Sequence, residues 1–259
     1  EIRLSLVGSE MCIRDRLKEK TWVFSTWDYT TMYLIEGEDK AVLIDTGTRC
    51  ADLDKIVGQI TGKPLEVIVT HMHPDHAGCI KYFDKVWMHR ADTVLVPQHA
   101  ADYQGEFLYM EEGQVFDLGG RKLEVAWMPG HTPGSVVLLD KANGDCYSGD
   151  AFGSGEVWLQ CVPMSPIATF HESCCRMEKL MKEGHIKDIW CGHYPYLKSS
   201  LPLAYIQTMI RISHRLMNGD QEGSEPYSNY FIKMPPTARK LAEGRAMIVY
   251  DSTNIPEAR

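Results

Sequence analysis

From Trp22 onward the apolar positions fall in short runs separated by polar turns. "TWVFSTW" and "TMYLIEG" flank a polar turn at residues 28–30 and predict the two strands of a hairpin. "KAVLIDTG" is an apolar run ending in Asp-Thr-Gly, the form of a buried strand that feeds a turn. In "DLDKIVGQITG", Leu53, Ile56, Val57 and Ile60 recur at helical spacing, and Gly62 supplies a stop. "LEVIVT" predicts a further buried strand that delivers the chain to His71, and "HAGCIKYF" the start of a helix. Strands and helices continue to alternate through "KVWMH", "RADTVLVPQHA", "RKLEVAWMPG", "SVVLLD" and "GDCYSGD". A helix over 169–182, the strand "KDIWCG" and a helix over 201–216 follow. The pattern is that of an α/β chain with many short strands.

The polar residues that matter sit where these apolar runs end. "LEVIVT" exits into His71, His73, Asp75 and His76; "KLEVAWM" is followed by His131, "DCYSG" by Asp150 and "KDIWCG" by His193. Loops at one edge of a sheet are where a rigid scaffold positions chemistry best. Extended side chains alternate, so His71 and His73 point to the same side. Pro74 turns the chain, and Asp75 and His76 then arrive from a second direction. Two such groups of imidazole and carboxylate suit two neighbouring cations, zinc or the borderline metals iron and manganese. An acidic residue between two cations can bridge them, and Asp150 is the candidate.

In this order, "LIDTG", "HMHPDH", "GHTPGS", "SGDAF" and "CGHYP" resemble the motif series of the metallo-β-lactamase-fold hydrolases, over essentially the whole chain from Trp22. The resemblance implies an αββα sandwich of two mixed sheets flanked by helices, with the metal site at one edge. It implies that His71, His73 and His131 hold a first metal, that Asp75, His76 and His193 hold a second, and that Asp150 bridges them. Asp45 resembles the early aspartate of the series, which supports the ligands; capping a turn is the plainer role for a residue at that strand end. The implied cofactors are two divalent ions, zinc foremost, with iron or manganese as alternatives. Two cations make hydroxide available near neutral pH and stabilise a developing oxyanion, and Asp75 is placed to orient that hydroxide and relay its proton. Gly134 in "HTPGS" is expected to let backbone approach His131 closely.

Composition adds limits. The 259 residues, 44% of them hydrophobic, can bury a substantial core. A net charge of −8 argues against unaided binding to nucleic acid or anionic membrane, and no apolar run is long enough to span a bilayer. The eight cysteines form no CxxC pair and read as reduced thiols, which places the protein in the cytoplasm. Residues 1–16, "EIRLSLVGSEMCIRDR", back-translate in part to a sequencing-library adapter, so they are expected to be foreign to the fold, with 17–259 as a single domain.

The expected reaction is hydrolysis of a small ester, thioester, lactone or phosphodiester. The bridging Asp150 departs from the β-lactam-degrading branches of the family, and the length leaves no room for the inserted domain of its RNA-processing nucleases. A small-molecule partner is therefore expected. Trp27, Tyr29, Phe152, Trp158 and Tyr194 are candidates for the pocket wall, although each could equally be core. The alternative is a mononuclear iron enzyme resembling the persulfide dioxygenases, or a non-catalytic metal-binding protein. His89, His99, His185 and His214 are given no role; His171, which follows a Pro-rich loop, could face a substrate, with a place on the surface the plainer reading.

Overall fold

The computed structural model describes residues 13–229 and 233–256. Its first sheet has its strands in chain order: β1 (Ile13–Lys18), β2 (Thr21–Ser25), β3 (Thr31–Glu36), β4 (Ala41–Ile44), β5 (Leu65–Ile68), β6 (Lys85–His89) and β7 (Glu106–Met110). Strands β1 to β4 pair antiparallel and β4 to β7 parallel. The second sheet contains β8 (Val115–Asp117), β9 (Lys122–Trp127), β10 (Val136–Asp140), β11 (Asp145–Gly149) and, parallel to β11 at its edge, β13 (Asp188–Cys191). Between β11 and β13 in the chain come β12 (Glu156–Trp158) and the long helix Ile167–Lys182.

Strand alternation explains the layering. In β3, Tyr33 and Ile35 face the core shared by the two sheets, whereas Met32 and Leu34 face the other way, towards Leu53, Ile56 and Val57 of the helix Leu53–Gly58. In β10, Val136 and Leu138 enter the shared core, whereas Val137 and Leu139 pack against the helices Ile167–Lys182 and Leu203–Met217. Both faces of these strands are covered, which is why they read as unbroken apolar runs. The order of layers is helix, sheet, sheet, helix, as expected.

Two features differ from the expectation. After His193 the sequence pattern predicts only the helix over 201–216, but the chain also contains β14 (Glu225–Pro226), β15 (Ala238–Glu243) and β16 (Ala246–Asp251). With β12 these form a third, four-stranded sheet, in which β12 runs parallel to β16. Most of the segment 1–16 lies outside the described residues; Ile13 to Arg16 are described and belong to β1. The expected helix at "HAGCIKYF" is shorter than its pattern, with one turn at Pro74–Ala77 and a 3-10 turn at Ile80–Tyr82.

Candidate metal centre

The C-terminal ends of β5, β9, β11 and β13 converge, and they are joined by backbone. Thr70 accepts a hydrogen bond from the Val136 amide at 2.9 Å, and Gly149 accepts one from the Gly192 amide at 2.8 Å. Tyr33 of the first sheet donates its hydroxyl to the Cys191 carbonyl at 2.7 Å, which ties the loop before His193 to the opposite sheet. Gly192 is required for room: a Cβ there would collide with Asp150 Oδ1 and with the ring of His76.

The seven expected ligands meet at this edge in two groups. His71, His73 and His131 form one; Asp75, His76, Asp150 and His193 form the other; within each, the potential ligand atoms lie within 4.8 Å of one another. In the first, His73 Nδ1 is 2.9 Å from His131 Nε2. In the second, Asp75 Oδ2 lies 3.6 Å from His76 Nε2 and 3.5 Å from His193 Nε2. Asp150 faces both groups. Its Oδ1 is 3.5 Å from His76 Nε2, and its Oδ2 is 3.2 Å from His193 Nε2 and 3.9 Å from His131 Nε2.

Outer hydrogen bonds decide which ring nitrogen of each imidazole faces inward. His131 Nδ1 donates to the Trp158 carbonyl at 2.7 Å, which leaves Nε2 as the lone pair. His76 Nδ1 donates to Asp45 Oδ2 at 2.8 Å. The Thr70 hydroxyl donates to Asp45 Oδ2 at 2.9 Å, and its oxygen takes the His71 Nδ1 proton at 3.1 Å. Asp45 thus orients His76 directly and His71 through Thr70. It does so from a left-handed backbone, φ 62°, which an aspartate tolerates better than most residues.

The two groups differ in charge. Burial above all keeps His71 and His131 below the usual imidazole range and brings His73 down to about 3, so these rings are neutral. Burial also opposes charge on His193 and His76. There the carboxylates win: Asp150 and Asp75 raise His193 to about 10, and Asp150, Asp45 and Asp75 raise His76. The same imidazoles hold Asp75 and Asp150 below the usual carboxylate range against their burial.

The residues fit a pair of cations. His71 Nε2, His76 Nε2 and Asp150 Oδ1 are buried without a hydrogen-bond partner, and each unpaired buried polar group costs about 1–3 kcal/mol. They point among imidazoles and carboxylates, which when deprotonated are the donors that zinc and borderline metals take.

The aromatic candidates separate. Trp27 and Tyr29 are exposed at the hairpin turn, and Tyr29 reaches towards the site through Tyr196. Phe152 is wholly buried in the helix-side core, so it has no surface to offer a ligand. Trp158 serves the site through its carbonyl, which holds His131, and its indole donates to Glu156. Tyr194 packs against Trp190 and the inter-sheet core. Tyr196, which the sequence pattern does not single out, is a further exposed aromatic: its ring centre lies 6.0 Å from that of His193 and 5.0 Å from that of Tyr29. Cys161 was also missed; burial first, then the charges of Asp75 and Asp150, push its thiol up to about 11. His99 approaches the site, its ring centre 5.9 Å from that of His73. His89 stacks on Trp127. His171 and His214 lie together between two helices, with ring centres 6.0 Å apart.

A four-layer αββα fold carrying paired histidine and carboxylate clusters at its strand ends defines a metal-dependent hydrolase. The family model described as the metallo-beta-lactamase superfamily matches residues 25–162, and the chain belongs to that superfamily. The human acyl-coenzyme A thioesterase MBLAC2 is 25% identical over 210 residues, which cover 66% of this chain and 75% of that protein. A hydroxyacylglutathione hydrolase of Francisella philomiragia is 24% identical over 191 residues, 72% of this chain and 73% of its own. The solved metallo-beta-lactamase from Pontibacter korlensis shares the fold with a TM-score of 0.58 at 16% identity, over 83% of this chain and 99% of that one. No helix among the described residues is long and apolar enough to cross a membrane.

Proposed function

We propose that the protein is a dinuclear hydrolase of small-molecule thioesters, with His71, His73 and His131 holding one divalent cation, Asp75, His76 and His193 a second, and Asp150 between them. The single observation that carries this reading is the convergence of the two clusters on Asp150, with unpartnered donor atoms aimed inward. Zinc suits the donor set best, with iron or manganese as alternatives. When bound, the cations supply a water acidic enough to attack near neutral pH and positive charge for the oxyanion that develops.

The chain's own contribution follows from its geometry. Asp75 is the most open of the carboxylates, with 35% of its side chain exposed against 15% for Asp150. It is placed to accept the attacking water's hydrogen bond, take its proton as the carbon–oxygen bond forms, and return it to sulfur as the carbon–sulfur bond breaks. A thiol, with an ordinary pKa of about 8.5, leaves more readily than an alcohol. Acyl-coenzyme A and hydroxyacylglutathione, named in the two relatives, are both thioesters. The exposed Tyr29 and Tyr196, whose rings meet beside His193, support a wall for an apolar part of such a substrate. The described cysteines are all free thiols, which suits a reducing, cytoplasmic setting.

The test is zinc-loaded protein offered acyl-coenzyme A esters, S-acylglutathiones, a lactone and an activated phosphodiester, with thiol release and acid production measured. Thiol release from one of the first two is expected. Turnover confined to the lactone or phosphodiester would replace the substrate class. Oxygen uptake by an iron-loaded form would replace the hydrolytic reading itself.

A further inference from the structure

A second buried carboxylate stands behind the clusters and touches neither. Asp92 lies in the 3-10 turn Arg90–Leu95 that follows β6, and it is wholly buried. Its Oδ2 accepts the Met72 amide at 2.9 Å and the Thr132 hydroxyl at 2.9 Å; its Oδ1 accepts the Gly134 amide at 2.6 Å. Met72 separates His71 from His73, and Thr132 follows His131. One carboxylate therefore grips both loops that carry the first cluster.

The glycine of "HTPGS" is explained by the same contact. Gly134 is not in the left-handed region, so backbone freedom is not what it supplies. A Cβ at this position would lie 2.6 Å from Asp92 Cγ, closer than real side chains approach. The expected close approach of backbone at Gly134 is thus an approach to Asp92, and through it to His71 and His73.

We infer that Asp92 is a positioning residue for the first cluster, clamping the His71–His73 loop to the His131 loop so that three imidazoles converge on one cation. Among the described residues Asp92 forms no ion pair. Three donors hold it, and its burial still drives the carboxyl up to about 6. A buried carboxylate without a counter-charge is costly in a scaffold that needs only shape. A cation held by the loops that Asp92 clamps would offset its charge. At the second cluster His76 is gripped by Asp45, which reaches His71 only through Thr70, and none of the hydrogen bonds of Asp92 reaches the loops of Asp150 or His193. Outer partners of metal ligands are typically worth 10–100-fold in affinity.

The inference rests on the two-cation reading, and the experiment separates the two. Metal-free full-length protein is titrated with Zn2+ against a chromophoric chelator, and His71→Ala and His193→Ala assign the two binding constants. In Asp92→Asn the side chain keeps its size but has one acceptor oxygen, so its amide group must face an N–H donor on one of the two loops. The first-cluster constant should weaken about 10–100-fold while the second stays within about twofold. Thr132→Val removes a single donor to Oδ2 and should weaken the same constant by about threefold, a fraction of the full effect. It decides the matter if Asp92→Asn does not fold. A merely structural role would weaken both constants alike or neither, and either result in a folded variant overturns the inference. If the wild-type protein binds no zinc at the assigned clusters, the two-cation reading fails and this inference falls with it.

Discussion

Asp45→Asn isolates what one outer carboxylate does for a ligand. Asparagine keeps the size of Asp45 and tolerates its left-handed backbone, so the turn after β4 should survive. Asp45 Oδ1 accepts the Thr70 amide at 2.7 Å, and Oδ2 accepts both His76 Nδ1 and the Thr70 hydroxyl. The asparagine oxygen will keep the backbone amide, because that donor cannot turn away. Its NH2 then faces His76 Nδ1, which must become an acceptor. The ring's proton moves to Nε2, the atom that faces Asp75 and Asp150, and there it blocks a cation. One charge-assisted hydrogen bond, worth about 1.5–3 kcal/mol, is lost from the metal-competent form. At about 1.4 kcal/mol per tenfold, the second-cluster zinc constant should weaken on the order of 10–150-fold. The assay is chelator competition on the folded variant, with calorimetry as a control for stability. A variant that binds two zinc ions as tightly as the wild type would refute the claim that Asp45 sets the His76 tautomer.

Asp150→Ala should leave the fold largely intact, abolish paired binding and cost more turnover than the ~10–100-fold of an outer partner, as metal content and thiol release will report; full activity with two ions bound would contradict it. Alanine at His71, His73, His76, His131 or His193 should each lose metal, whereas alanine at His89 or His214, which lie apart from the clusters, should not; metal analysis of the seven variants checks this. Excess zinc should partly rescue His193→Ala. Proton release should differ between the clusters. His71, His73 and His131 are held below the ordinary imidazole range, so a cation entering there at pH 7 displaces no proton. His76 and His193 are raised, His193 to about 10, and each must surrender a proton to bind, so second-cluster affinity should climb with pH between 6 and 9 while the first stays flat. Calorimetric zinc titrations in buffers of different ionisation enthalpy count those protons.

Much of the site was legible because its ligands stand at the ends of apolar runs. His71, His131, Asp150 and His193 each follow a strand whose burial is written in its composition, and the local spacing of His73, Asp75 and His76 completes the set. What stayed hidden depended on contacts between distant loops. Asp92 sits in "RADTVL", where nothing local shows that its carboxylate is buried or that Met72, Thr132 and Gly134 will surround it. Phe152 and Tyr194 both follow a ligand closely, yet one enters the core and the other packs on Trp190, while Tyr196 stays in solvent. The third sheet is legible only in part: "LAEGRAMIVY" has a polar Glu-Gly-Arg turn between two strand-forming segments, but its pairing with Glu156–Trp158 spans a separation that no local pattern reveals.

The most direct test of the two-cation account is reconstitution of the metal-free protein with zinc, following thioester cleavage and bound metal together. Thiol release should rise with zinc and reach its plateau at two ions per chain, with little activity before the second ion binds. Full thioester turnover by the metal-free protein, or a plateau at one ion that His193→Ala leaves unchanged, would contradict it.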